Sequence, residues 1–401
     1  MIKVRFSPVL IFMAIFIFVL LAGGTMPYYL LYIFFLTLLV PLIHNLVVLR
    51  GLRGHVKVPS EALFSGEDIE IGYEVKNDSF FRAPYIEIHS EISKQLTGID
   101  SPIVALSLEK KGIFSHSETI TLRRRGYYEL GEIVVTVRDV FSFYSFKKRI
   151  SSSTSLLIYP KVINLSTFRI TSSHQSGEAL IQNSVFQDKS RFATLREYRE
   201  GDPVKAIHWK LSAKKETPII REFESHGDTH ATIFIDNETE HFKDDTYRNL
   251  EDKAANAALS ILNYCLNQGI DVSLETQDAH KYIKIQGQQK SDYKPFLEVL
   301  ARFRANGVFD IKSLISSHIG LLKRSSTIII ITPYFDIGMG SLGIQLKTNN
   351  FNPLFILITD IENKRGYIDQ KVEIMLKKEG IPIYILDHSS NIKDTLEVYD
   401  G

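Results

Sequence analysis

The hydrophobic and polar positions of this chain fall into three regimes. From Phe6 to Leu49 there is no Asp, Glu, Lys or Arg, and His44 is the one side chain there that ionises near neutral pH. A helix that crosses a bilayer needs roughly 20 apolar residues, so this stretch has room for two. Gly23, Gly24 and Pro27 interrupt it and favour a turn. The spans then run over about 8–22 and 28–49, with Pro41 inside the second, where a bilayer helix tolerates it. Further on the period becomes two. Ile69, Ile71, Tyr73 and Val75 alternate with Glu70, Gly72, Glu74 and Lys76, the signature of a half-buried strand. Asn77-Asp78-Ser79 supplies turn chemistry before a second extended run over 85–92. Segments 117–123 and 131–138 lie on either side of Arg124-Arg125-Gly126, and short strands at this spacing predict an antiparallel β-sandwich-like domain over 55–165. From Ala231 the pattern changes again. Short apolar runs at 231–235, 272–274, 326–331, 354–358 and 381–386 alternate with helical stretches. Leu250, Ala254, Ala257, Ile261 and Cys265 recur at helical spacing, and further helices fall near 291–305 and 366–379. Such alternation predicts a Rossmann-like α/β domain over 231–401, with a largely parallel sheet covered on both faces. The serine-rich residues 151–188 read as a linker with one strand, 156–160, embedded in it. The 166–230 stretch then carries the remaining linker and the least generic motif of the chain.

Charge sharpens the picture at the hairpin. Lys3 and Arg5 precede it, and Arg50, Arg53 and Lys57 follow it, which places both ends in the cytoplasm and makes residues 1–54 a two-pass anchor in the cell membrane. A cleaved signal peptide explains the basic start and the small residues Ala22-Gly23-Gly24, but not the second apolar run and its basic stop. The whole chain of 401 residues has a formal net charge of +1, which argues against a nucleic-acid binder. With a single cysteine, Cys265, neither an intramolecular disulfide nor a cysteine-rich zinc site exists. Cys265 lies on the buried stripe of its helix and reads as a small core hydrophobe. The basic run Arg123-Arg124-Arg125 reads as a solvated strand end rather than a lipid-phosphate contact.

Between Phe192 and Ala213, Gly201 permits a tight turn, Asp202 is placed as a helix N-cap and Pro203 takes the first helical position. Val204, Ile207, His208 and Leu211 share one face of that helix, while Trp209 points elsewhere and is expected to fill a domain contact. Asp202 and His208 also read as an acid–base pair, the basis of a hydrolase. No nucleophile of matching pattern stands nearby, however, and no G-x-S-x-G occurs. Cap and packed histidine are the preferred reading, so no catalytic residue and no cofactor is assigned.

The run Leu195-Arg196-Glu197-Tyr198, Gly201-Asp202, Ile207-His208-Trp209 and Ser212-Ala213, followed by Arg221-Glu222, resembles the signature of the membrane proteins grouped as domain of unknown function 58. Leu122-Arg123-Arg124-Arg125-Gly126-Tyr127, Arg138-Asp139 with Phe141, and Leu157-Ile158-Tyr159-Pro160 are similar to other segments of that family. Val140 and Ser142 stand where proline and glycine are usual. The resemblance covers nearly the whole chain. It implies a von Willebrand factor A-like C-terminal domain and a MoxR-type AAA+ ATPase as protein partner in maturing or remodelling other proteins. An intact domain of that kind holds a divalent ion through Asp-x-Ser-x-Ser, a Thr and a further Asp. Here Asp236 is kept, Glu238 and Glu240 replace the serines, and Thr332-Pro333-Tyr334 lacks the second aspartate, so the metal site is degenerate and Asp236 is its remaining candidate. The expectation is a membrane-anchored, non-enzymatic scaffold or adaptor. The alternatives are a metal-dependent adhesion-like receptor and a hydrolase using Asp202 and His208.

Overall fold

The computed structural model describes the chain except residues 1, 5, 23, 131–132, 151–153, 171–193, 199–208, 216, 223–228 and 398–401. It divides into two units, Met1–Lys161 and Val162–Gly401.

The first unit contains, in order, β1 (Ile2–Val4), α1 (Phe6–Ala22), α2 (Thr25–Gly51), β2 (Leu52–Lys57), β3 (Leu63–Phe64), β4 (Asp68–Asn77), β5 (Ala83–Ser90), α3 (Ile92–Thr97), β6 (Val104–Leu108), β7 (Ile113–Thr121), β8 (Gly126–Leu130), β9 (Ile133–Arg138), β10 (Tyr144–Arg149) and β11 (Thr154–Tyr159). The two apolar helices pack together, with the rings of Phe12 and Phe34 6.4 Å apart, and most of their other side chains face outward. α2 is long and apolar enough to span a membrane, whereas α1, at 17 residues, is a shorter apolar helix. Met26 and Pro27 belong to α2 instead of the turn. Proline is tolerated there because first-turn N–H groups have no helical acceptor to lose. The same helix continues through Pro41.

The strands form a five-stranded sheet, β1-β10-β9-β5-β6, and two three-stranded sheets, β2-β4-β7 and β3-β11-β8. All but the β3–β11 pairing are antiparallel. In β4 the alternation read from sequence buries Ile69, Ile71, Tyr73 and Val75, which join Ile86, Val135, Ile158 and others in one core. Val48 at the end of α2 belongs to the same core, so helix and strands share their packing. The strand expected inside a linker is β11, an integral sheet member whose apolar positions face that core. Of the basic run, Arg125 is buried, at 1% exposure, so the solvated-end reading fails for that residue.

The second unit contains β12 (Thr194–Glu197), α4 (Trp209–Lys215), β13 (Ile219–Glu222), β14 (His230–Ile235), α5 (Asn249–Asn267), β15 (Asp271–Asp278), β16 (Lys281–Gly287), α6 (Tyr293–Arg302), α7 (Ile311–His318), β17 (Thr327–Thr332), β18 (Tyr334–Phe335), α8 (Ile337–Thr348), β19 (Asn352–Thr359), β20 (Tyr367–Ile368), α9 (Gln370–Lys378), β21 (Ile383–Asp387) and α10 (Ile392–Leu396). Its main sheet has the order β16-β15-β14-β17-β19-β21. Five strands are parallel, and only the edge strand β16 runs antiparallel. β14 and β17 are buried at every position, as expected where both faces of a parallel sheet are covered and the strand reads as a continuous apolar run. Cys265 is buried in α5, and burial pushes its thiol pKa well up, which makes it a core side chain.

Further features differ from the sequence reading, which left α7 and β16 unassigned. Residues 162–170, expected to be linker, pack onto the second unit. Leu165 and Phe168 are buried, the Phe168 ring lies 6.2 Å from Tyr264, and Ile163 N–H donates to Ser260 Oγ at 3.1 Å. Two apolar anchors among polar neighbours set no period, so nothing in the pattern marks them. The helix α8 went unread because glycines interrupt its periodicity. Gly340 is there for close approach, since a Cβ at that position would meet Val372 of α9 at 2.4 Å.

Candidate functional site

At the carboxyl edge of the parallel strands, β14 leads into Asp236, beside the end of β17. Asp236 is 1% exposed and fully committed. Its Oδ2 accepts from His241 Nδ1 at 2.6 Å and from Thr332 Oγ1 at 2.7 Å, and its Oδ1 accepts the Glu238 N–H at 3.0 Å. A carboxylate only accepts, so the histidine nitrogen donates. The Glu238 carboxylate lies on the far side of the same ring, with Oε2 3.5 Å from His241 Nε2. The imidazole stacks flat on Tyr334, with centroids 4.5 Å apart and planes at 5°, and Tyr334 stacks in turn on Tyr367 at 5.1 Å. Parallel pairing of β18 with β20 holds these two tyrosines side by side.

The electrostatics follow from this enclosure. Burial pulls the His241 pKa down, but the Asp236 hydrogen bond and the charges of Asp236 and Glu238 outweigh it and leave the value raised. Burial also raises the Glu238 carboxyl, with Asp236 and Asp310 adding to the rise. The charged form of the imidazole is therefore favoured between two acidic side chains, the position in which a divalent cation would otherwise compensate their charge.

Asp236, Glu238 and His241 present three ligand atoms within 4.8 Å of one another. The oxygen-ligated ion implied by the resemblance does not fit this donor set. Both Asp236 oxygens already accept protons, and one of the three ligands is a nitrogen. Glu240, at the other serine position, sits 3.4 Å from Lys243. A hard cation in an octahedral oxygen site needs donors that these residues do not offer. Asp236 instead braces its loop.

A second polar cluster lies at the same edge, after β19 and β21. Asp245 accepts the N–H groups of Asn249, Leu250 and Glu251 at the start of α5. Asp360 accepts from Asn363 Nδ2 at 2.8 Å. Arg365 Nη1 lies 3.7 Å from Asp245 and 4.0 Å from Asp360. Burial raises the Asp387 carboxyl, but hydrogen bonds from Ser389 and the Ile361 amide outweigh it and bring it to about 2. These contacts lock loops. The Thr332 hydroxyl is likewise committed, donating to the Asp236 carboxylate and accepting the Tyr334 N–H.

Around these clusters the connections leaving the strands expose Tyr247, Val308, Phe309, Ile337, Ile361 and Tyr367. The 308–309 segment is held to the end of β15 by Gln277, whose Oε1 accepts from both amides at 3.2 and 3.0 Å. Sequence reasoning singled out Asp236, Glu238, Glu240 and Thr332, and missed His241 and the apolar rim. A histidine six residues beyond the end of β14 was the available signal for His241.

The motif residues are only partly placed. Arg196 and Glu197 in β12 pair with β13, which carries Arg221, and the Tyr198 N–H donates to Pro218 O at 2.8 Å. Ser212 Oγ accepts the Ile219 N–H at 2.8 Å, which ties α4 to β13, and Ala213 lies exposed on α4. Trp209, expected to fill a domain contact, is 66% exposed. Gly201, Asp202 and His208 lie outside the described residues, as does the start of the helix expected there.

A family model described as "Protein of unknown function DUF58" matches residues 194–339, from β12 into the start of α8. The chain is 22% identical over 293 residues to the uncharacterized protein YeaD of Bacillus subtilis (strain 168), covering 72% of this chain and 71% of that protein. Among solved structures, the CARDB domain of a Pyrococcus furiosus protein in complex with di-metal ions is 16% identical, with a TM-score of 0.20 over 27% of this chain and 91% of that one. Proximal thread matrix protein 1 from the mussel byssus is 12% identical, with a TM-score of 0.29 over 40% and 43% of the two chains.

Proposed function

We propose that this chain is a membrane-anchored protein-binding scaffold. The α1–α2 hairpin crosses the cell membrane twice with the body in the cytoplasm, and the second unit, a degenerate von Willebrand factor A-like domain, docks a partner at the carboxyl edge of its sheet. The partner is a MoxR-type AAA+ ATPase acting in maturation or remodelling of other proteins. The observation that carries this reading is the apolar rim formed by Tyr247, Val308, Phe309, Ile337, Ile361 and Tyr367. A surface of large apolar groups beside polar ones is the composition of a protein interface. The carboxyl edge is also where open α/β sheets bind their ligands. The two-pass topology is supported by β1 and β2, which flank the hairpin and pair within the same unit. The test is an affinity pull-down of tagged full-length protein from gently solubilised native membranes with ATP, read by mass spectrometry. Wild type should retain an AAA+ ATPase that Phe309→Asp with Ile337→Asp loses. Retention by the double variant, or recovery of no ATPase by wild type, overturns the reading.

The second reading, a metal-dependent receptor, is favoured only by the 4.8 Å grouping of Asp236, Glu238 and His241. It requires the ion to displace the proton that His241 now shares with Asp236.

A further inference from the structure

We infer that the β-rich unit is seated on the bilayer surface, with two pinned loops, residues 78–81 and 139–143, carrying Phe80, Phe81, Val140 and Phe141 into the lipid interface beside the hairpin. The inference rests on the membrane reading of α1 and α2 and says what that reading alone does not, namely what the β unit touches.

Depth follows from helix geometry. α2 has 27 residues, about 40 Å at 1.5 Å per residue. A hydrocarbon core of about 30 Å takes about 20 of them. Counted from Thr25, the core ends near His44, and the remaining turns rise through the headgroup layer. Those last turns are not a free tether. Val48 is part of the β core, and Lys148 Nζ donates to the helix-end carbonyl of Leu49 at 2.8 Å. The strands are thus fixed to the emerging helix, and their height above the lipid is set by it.

The 78–81 loop meets α2 at the level of its exit. Asp78 N–H donates to Gly51 O at 2.8 Å. Gly51 has no side chain because a Cβ there would meet Ser79 N at 2.6 Å. The Phe81 ring lies 5.3 Å from His44, where the hydrocarbon core ends along α2. The 139–143 loop is placed by register. Val4 pairs with Tyr144, so the residues before Tyr144 lie at the end of β1 that continues into α1. The Phe12–Phe34 contact puts the start of α1 level with about Val40 of α2, because the helices run antiparallel. Both loops therefore reach the same boundary.

Their chemistry suits it. Phe80 is 82% exposed, Phe81 48%, Val140 78% and Phe141 53%. Such tips are costly in water unless an apolar phase takes them. Both loops are stiff, so the exposure is built in. Asn77 Nδ2 donates to Phe81 O at 2.8 Å, and Ser79 Oγ donates to Asn77 Oδ1 at 2.6 Å. Asp139 accepts the amides of Phe141, Phe143 and Tyr144 at 3.0, 3.2 and 2.7 Å. Ser142 takes the left-handed turn position at φ 55°. Arg53, whose side chain is 80% exposed, sits beside Asp78 at 3.4 Å, where its long stem can lie against the interface with the charge among headgroups.

The test uses full-length protein in vesicles of phosphatidylcholine and phosphatidylglycerol, with an environment-sensitive fluorophore at Phe80→Cys or Val140→Cys. Buried Cys265 stays unlabelled. References are Tyr32→Cys in mid-α2 and Glu70→Cys on β4. Lipid-borne nitroxides near the headgroup should quench positions 80 and 140, deep nitroxides should quench position 32, and aqueous iodide should quench position 70 alone. If 80 and 140 respond to iodide like 70 while 32 is quenched by lipid, the seating is wrong and the membrane reading stands. If they resist both iodide and lipid quenchers, a protein covers them and the inference is overturned. If position 32 escapes lipid quenching, the membrane reading itself has failed.

Discussion

The loops of the β-rich unit that flank the hairpin and the carboxyl edge of the α/β sheet both display large apolar side chains, yet different chemistry holds the two sets in place. In the first unit the pins are neutral or carry a single charge: Asn77 and Ser79 under one loop, Asp139 under the other. In the second, the supports are buried, coupled charges: Asp236 with His241 and Glu238, and Asp360 with Arg365. A bilayer is a constant partner, and a loop bound for it needs only rigidity. A protein partner that comes and goes calls for a surface whose supports respond to conditions. The difference teaches that two exposed apolar surfaces can rest on different supports, so exposed apolar area alone does not identify a partner.

The largest expected effect separates the two regions directly. Asp236→Ala leaves His241, Thr332 and the Glu238 amide without their acceptor inside the protein, and breaking such a buried pair costs about 3–5 kcal/mol. Calorimetry of the full chain should show a marked fall in the second unit's transition, with lipid quenching at Phe80 and Val140 unchanged. A silent Asp236→Ala would erase the distinction. Asp139→Ala removes three amide bonds to a buried carboxylate, and a loss of about 2–3 kcal/mol is expected. Hydrogen exchange should quicken at Phe141, Phe143 and Tyr144 without change around Asp236.

The response to pH sharpens the same contrast. The folded His241 pKa is raised above the ordinary 6.5. Its stabilisation is complete below that value and is lost as pH rises through the folded one. Glu238, also raised, acts in the same sense from 4.5 upward. The stabilisation that His241 supplies should therefore decline on going from mildly acidic to mildly alkaline pH, so the midpoint difference between wild type and His241→Gln should shrink over that range. A difference that grows over this range would contradict the pairing. Added magnesium should leave the midpoint unchanged, because an ion that does not bind the native state does not stabilise it. A concentration-dependent rise would restore the metal reading. The smallest effect is at Ser142, where glycine should gain about 0.5 kcal/mol, the left-handed cost less the extra chain entropy, read as a small rise in the midpoint of the first unit.

Periodicity made much of this architecture legible. The charge-free run gave the apolar helices, β4 showed its alternation residue by residue, and the continuous runs at 231–235 and 326–331 marked strands covered on both faces. What escaped were features set by distant contacts. Leu165 and Phe168 dock without a period, α8 hides behind glycines needed for close packing, and Arg125 is buried in a run that looks solvated. At the site, Asp236 and Thr332 were visible as strand-end oxygens, whereas His241 acts through a short helical turn whose return to Asp236 no local spacing encodes. The Val140 and Ser142 departures also became clear only in three dimensions, where Asp139 holds the turn in place of the usual residues.

The central claim is that the carboxyl edge of the second unit is a docking surface, and site-specific photo-crosslinking tests it most directly. A photoreactive phenylalanine analogue at Phe309, in the full-length protein in its native membrane, should give an adduct with a MoxR-type AAA+ ATPase. The same analogue at exposed Ile374 on α9 should not. No adduct from Phe309, or equal adducts from both positions, would contradict the account.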